Sequence, residues 1–111
     1  LESVVAYAPD VVVRYWGGDA RLLAQLERQG VTVVTIADAA DFASVEQSTA
    51  EVAQALDRRD EGQALIGRMR TTLKDAALPD GSRPVTALYL TAGGFTSGSG
   101  TLVDQPDGRR A

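Results

Sequence analysis

Two short stretches of this 111-residue chain bring together side chains that could hold a ligand. The first is Asp10-Val11-Val12-Val13-Arg14-Tyr15-Trp16-Gly17-Gly18. The second is Val85-Thr86-Ala87-Leu88-Tyr89-Leu90-Thr91-Ala92-Gly93-Gly94-Phe95-Thr96-Ser97-Gly98. Each runs an apolar, strand-like segment into a glycine pair beside an aromatic, and open α/β sheets present ligand contacts at strand carboxyl ends. A glycine pair turns the backbone away and leaves Tyr15, Trp16 and Phe95 at a rim, where flat rings stack on planar or macrocyclic groups. The chemistry favoured is recognition, not bond making.

Other chemistries are excluded by residue type. The chain has no cysteine and no histidine, so disulfides, thiolate or imidazole metal sites, and Ser-His or Cys-His triads are impossible within it. Asp19, Asp38, Asp41 and Asp104 carry no spacing that makes one carboxylate a proton donor to another, and they read as solvated helix caps. No catalytic residue and no protein metal site is expected. Ser97-Gly98-Ser99-Gly100 invites a dinucleotide or phosphate-loop reading, but Val103 stands where the third fingerprint glycine belongs and no Gly-Lys-Ser/Thr follows. An α/β enzyme domain holding a nucleotide or phosphate on Ser97 to Gly100 is therefore the alternative reading, and a structural segment with no ligand of its own is a third. A net charge of −4, a pI of about 4.7 and no dense basic cluster leave nucleic acid without an electrostatic basis.

The elements that must position these residues follow from pattern. A helix at about 2–8 breaks at Pro9-Asp10, and Val11 to Arg14 form a β-branched run typical of a strand covered on both faces. Asp19 caps a helix of about 20–29 whose Leu22, Leu23 and Leu26 share a face, and Gly30 stops it. Val31 to Ile36 form a second strand, which makes a parallel, right-handed βαβ unit. Asp41 or Ser44 starts a further helix, with Gln47 in capping-box spacing from Ser44 and an inner stripe of Val45, Thr49, Val52 and Leu56. The helical pattern weakens at Asp57-Arg58-Arg59-Asp60 and resumes over 61–78 until Pro79-Asp80-Gly81. Gly62 and Gly67 inside it suggest close approach of a neighbour. Pro84 opens a third strand over 85–91, Thr101 starts a helical turn, and 106–111 read as a disordered tail. No apolar run approaches the roughly 20 residues that span a bilayer.

With these residues in view, the sequence resembles the solute-binding proteins of bacterial ABC importers for vitamin B12, iron-siderophores and haem, the class with two lobes joined by one long helix. Leu1 to Arg14 is similar to that family's run of an acidic residue, hydrophobics, then Pro-Asp and a strand. Tyr15-Trp16-Gly17-Gly18-Asp19 through Leu22 to Ile36 is similar to its aromatic-Gly-Gly loop, helix and strand. Leu88 to Asp104, with Phe95-Thr96-Ser97-Gly98 and Thr101-Leu102-Val103-Asp104, is similar to the first strand and ligand loop of its second lobe. The resemblance covers about 1–105 and is nearest to the B12-binding branch.

The resemblance implies an α/β fold: a parallel-sheet βαβ unit, a long connecting helix and the first strand of a second α/β lobe. On it, 1–57 belong to the N-terminal lobe, 58–82 to the connecting helix and 83–105 to the start of the C-terminal lobe. It also implies noncatalytic capture of a corrinoid or ferric chelate and its delivery to a membrane permease. No cofactor is expected, although the ligand would itself contain cobalt or iron. Tyr15 would contact the ligand, with Trp16, Gly17 and Gly18 beside it and Phe95, Thr96 and Ser97 across a cleft. Arg21 stands where the B12 branch carries an acidic residue that docks on the permease, leaving Asp19 as the nearby docking group. A periplasmic or extracytoplasmic location is implied. The helix-like start at Leu1, without a methionine, is the expectation for a segment whose upstream sequence, signal peptide included, is missing. Exposed strand edges at Val11 to Arg14 and Val85 to Thr91 are expected to pair between chains.

Overall fold

The structure, a computed structural model, describes residues 2–104. In chain order the elements are α1 (Glu2–Ala6), β1 (Val11–Arg14), α2 (Ala20–Arg28), β2 (Thr32–Thr35), α3 (Phe42–Ala55), α4 (Arg59–Ala76) and a 3-10 turn at Leu102–Asp104. The tail expected at 106–111 lies outside the described residues. No described helix is long and apolar enough to cross a membrane.

β1 and β2 pair in parallel, Val11 opposite Thr32 through Arg14 opposite Thr35. Amides of Thr32 and Ile36 donate to the carbonyls of Asp10 and Arg14, both at 2.9 Å, and carry the ladder one step beyond each strand end. A parallel pair cannot be closed by a hairpin and needs a crossover, which α2 supplies. Asp19 caps α2, its carboxylate accepting from the Arg21 amide at 2.8 Å. Leu26 carries the apolar face of α2 inward and is only 3% exposed.

The expected second helical region is two helices. α3 is capped by Asp41, which accepts both the Ser44 amide at 2.7 Å and the Ser44 hydroxyl at 2.6 Å. The capping box from Ser44 to Gln47 does not form, because Asp41 takes the cap and the Gln47 side-chain amide instead donates to the Glu51 carboxylate at 3.1 Å. α3 ends at Leu56, where Asp57 adopts φ 55°, a left-handed conformation that aspartate tolerates. α4 then runs antiparallel to it for 18 residues, or about 27 Å at 1.5 Å per residue. Two features hold the pair. Gly62 packs so closely on Ala53 that an added Cβ would collide with the alanine methyl, whereas nothing lies near Gly67. Arg70 forks onto Glu46, its Nε donating to Oε1 at 2.8 Å and its second nitrogen to Oε2 at 2.7 Å.

Two expectations are corrected. The strands are only half-buried, not covered on both faces, because the sheet has two strands among the described residues and few elements to cover them. The segment 85–91 carries no ladder, since a strand needs a hydrogen-bonding neighbour and residues 92–104 form a loop and the 3-10 turn. Its apolar side chains stay open, with Val85 82% and Leu88 71% exposed. The buried apolar set is correspondingly small: Leu26, Ala53 and Ile66. A radius of gyration of 18.5 Å, against about 13 Å for a compact domain of this length, describes an open shape.

Two outcomes follow from the α3–α4 contact. Gly62→Ala should destabilise the chain by about 1–3 kcal/mol through overpacking, while Gly67→Ala should stabilise it by up to about 1 kcal/mol; urea unfolding followed by helical circular dichroism separates them. The hydrogen bonds from Arg70 hold Glu46 below the ordinary carboxylate range, and the Ser44 hydroxyl, then its amide, do so for Asp41. Their folded values lie below their unfolded ones, so their stabilisation is complete only above the unfolded carboxylate values, from about pH 5 upwards, and is lost as pH falls through the folded values. Glu46→Gln should lower stability at neutral pH and flatten its decline in acid; an unchanged acid limb would remove Glu46 from the account.

Candidate functional site

Tyr15 and Trp16 leave β1 directly after Arg14, and Ala37 and Asp38 leave β2 directly after Ile36. Because the strands are parallel and in register, both loops emerge side by side at the carboxyl end of the sheet, the position at which such folds hold ligands. Gly17 and Gly18 both have φ 91°, and Gly93 and Gly94 have φ 88° and 80°. Side chains with a Cβ rarely adopt that region, so both junctions turn sharply for the same reason. Tyr15, Trp16 and Phe95 stay at the surface, exposed by 63%, 72% and 74%.

Beside these loops lies a groove of about 650 Å³ between the end of β2, α3 and α4. Tyr15 enters it from the first loop. Ile36, Ala37 and Ala39 line it from the loop that follows β2, and Val45, Val52 and Leu65 from the two helices, with Leu56 at the C-cap of α3. Arg58, Glu61 and Arg68 supply its charge. Arg58 is engaged by Glu61 at 3.0 Å, so among the described residues Arg68 is the cation of the lining available to an anion. The groove falls within the 300–1,000 Å³ range of ligand pockets, which are mostly apolar with a few placed polar groups.

The remaining expected site residues sit apart from this lining. Trp16 is outside it; its indole nitrogen donates to Asp38 Oδ2 at 3.0 Å across 22 residues of sequence. Of the four aspartates read as caps, Asp19 and Asp41 serve as such, Asp38 does not, and Asp104 lies within the 3-10 turn. Gly17, Gly18, Phe95, Thr96 and Ser97 are also outside it. The loop around Phe95 is held by Thr91, whose amide and hydroxyl both donate to the Phe95 carbonyl, at 2.8 and 3.0 Å. At Ser97 to Gly100, the Gly98 carbonyl accepts the Thr101 hydroxyl at 2.7 Å, and the helical turn that follows has three residues. That is too short to aim a helix N-terminus at a phosphate. The sequence signalled the inner stripe of α3 without revealing it as a groove wall. It gave Arg58 and Arg68 no role, although Arg68 sits three residues after Leu65 on the same helical face.

No curated protein matches this sequence. Among solved structures, the chain is similar to one described as "Periplasmic heme-binding protein BhuT in complex with two hemes (holo-2 form)", at 32% identity and a TM-score of 0.68 over 93% of this chain and 42% of that one. The chain therefore spans less than half the length of that structure. The family described as "Periplasmic binding protein" matches residues 1–104, and the chain belongs to that family.

Proposed function

We propose that this chain provides part of the solute-binding surface of an ABC importer's binding protein, and that its ligand is a planar, carboxylate-bearing metal chelate of the haem type. The observation that carries the reading is the Tyr15 ring at the carboxyl end of β1, opening on an apolar groove whose lining includes Arg68. An apolar slot suits a macrocycle, a guanidinium pairs with carboxylates in fork geometry, and a tyrosine oxygen is an iron ligand in haem proteins. A corrinoid carries amides around its ring and its one anion, a phosphodiester, on the nucleotide loop, so it offers Arg68 no carboxylate at the edge of the macrocycle. The description of the similar structure as heme-binding supports the same choice. The proposed role is noncatalytic, a reading supported by membership of the periplasmic binding protein family.

The remaining assignments belong to the same proposal. Residues 1–57 form part of one lobe, 58–82 the connecting helix and 83–105 the start of a second lobe, in which Phe95, Thr96 and Ser97 face the ligand from the opposite side. Delivery is to a membrane permease, with Asp19 on the docking surface, in the periplasm. The free edge of β1 and the open segment 85–91 favour pairing with another polypeptide.

Absorbance titration of the chain with haemin and, separately, with cyanocobalamin tests the ligand class. Haemin should bind with a shifted Soret band, Tyr15→Ala should weaken it by about tenfold or more, and Arg68→Gln should weaken haemin by about tenfold while leaving any cobalamin binding unchanged. Binding of cobalamin alone would overturn the haem assignment, and binding of neither would overturn the groove as a ligand site.

A further inference from the structure

We infer that Asp38 is a positioning residue that clips the loop after β1 to the loop after β2 through the Trp16 indole, so that Trp16 serves the groove as an anchor and not as a ligand-stacking ring. The effect on ligand affinity rests on the groove reading above; the clip itself does not. The indole N–H can only donate, and its 3.0 Å bond to Asp38 Oδ2 joins residues 22 apart in sequence. Trp16 is 72% exposed, so packing does little to direct the ring, and the two glycines after it leave the backbone free to turn. The hydrogen bond is what sets its direction. Asp38 has no competing duty as a helix cap, because Asp41 caps α3.

The placement of neighbours gives the bond its purpose. Ala37 and Ala39 line the groove, and Asp38 between them does not. On the other loop Tyr15 lines the groove, and the adjacent Trp16 does not. Along extended backbone successive side chains face opposite ways, and the lining alternates in that manner at both loops. The Trp16–Asp38 bond therefore ties the two loops together on the side away from the groove, holding Tyr15 and the Ala37–Ala39 wall in register from behind. Its loss would let the Tyr15 ring and that wall move independently.

The 111-residue chain has one tryptophan, which makes the indole a clean reporter. Asp38→Ala should reduce indole fluorescence anisotropy and flatten the near-ultraviolet circular dichroism of the ring, with helical signal unchanged. Asp38→Asn, whose amide oxygen still accepts, should restore most of both. Haemin affinity should fall about fivefold in Asp38→Ala, as for loss of one hydrogen bond, equally in Trp16→Phe, and no further in the double variant. An unchanged indole signal in Asp38→Ala would overturn the clip. So would a Trp16→Phe variant that binds haemin like the parent while Trp16→Ala does not, since that marks direct stacking. If the parent binds neither haemin nor cyanocobalamin, the groove reading fails, and the indole signals alone decide the clip.

Discussion

The approach of Gly62 to Ala53 is the contact on which the rest of this structure turns. It removes one side chain from the crossing of α3 and α4, brings the helices together at that level, and so fixes how far the walls of the groove diverge beyond it. The backbone answers at the same place, with the Arg58 amide donating to the Ala53 carbonyl at 2.7 Å. Further along, the Glu46–Arg70 fork fixes the rotation of one helix on the other. An exposed fork of this kind contributes little to stability, but its planar geometry selects one register. The groove therefore takes its width from steric exclusion and its alignment from a directional pair.

The two junctions achieve a similar local result by different means. Each uses a glycine pair with positive φ to stop the chain and leave an aromatic exposed. The first is then bound to the rest of the fold, by the Trp16–Asp38 bond on one side and by Tyr15 in the groove on the other. The second is held chiefly from within, Thr91 grasping the Phe95 carbonyl twice, and the apolar segment before it has no strand beside it among the described residues. The contrast matches a chain that spans 42% of the structure it resembles.

Local chemistry was legible in the residues themselves. The caps at Asp19 and Asp41, the stop at Gly30, the β-branched runs of β1 and β2 and the break between α3 and α4 all follow from interactions within a few residues, and the parallel βαβ unit follows from their order along the chain. So does the exposure of Tyr15, Trp16 and Phe95, because glycine pairs act on backbone torsions directly. The stripe of Val45, Thr49, Val52 and Leu56 was also visible, as an inner face. Where pattern misled, a missing neighbour was the cause: 85–91 has the composition of a strand, yet a ladder needs a partner and none lies among the described residues. The Ser44 capping box failed through competition, as Asp41 offered the same amide a nearer acceptor.

The sequence by itself determined which segments turn, cap and extend, and which chemistries are closed to a chain without histidine or cysteine, because those outcomes depend on side-chain identity and short-range torsions. Only the tertiary structure decided that the α3 stripe opens as a groove and does not close into a core. It alone placed Arg68 beside that groove and Tyr15 within it, and it alone drew Asp38 to the Trp16 indole. Each of these depends on the angle and spacing between elements distant in sequence, and no local periodicity carries that information.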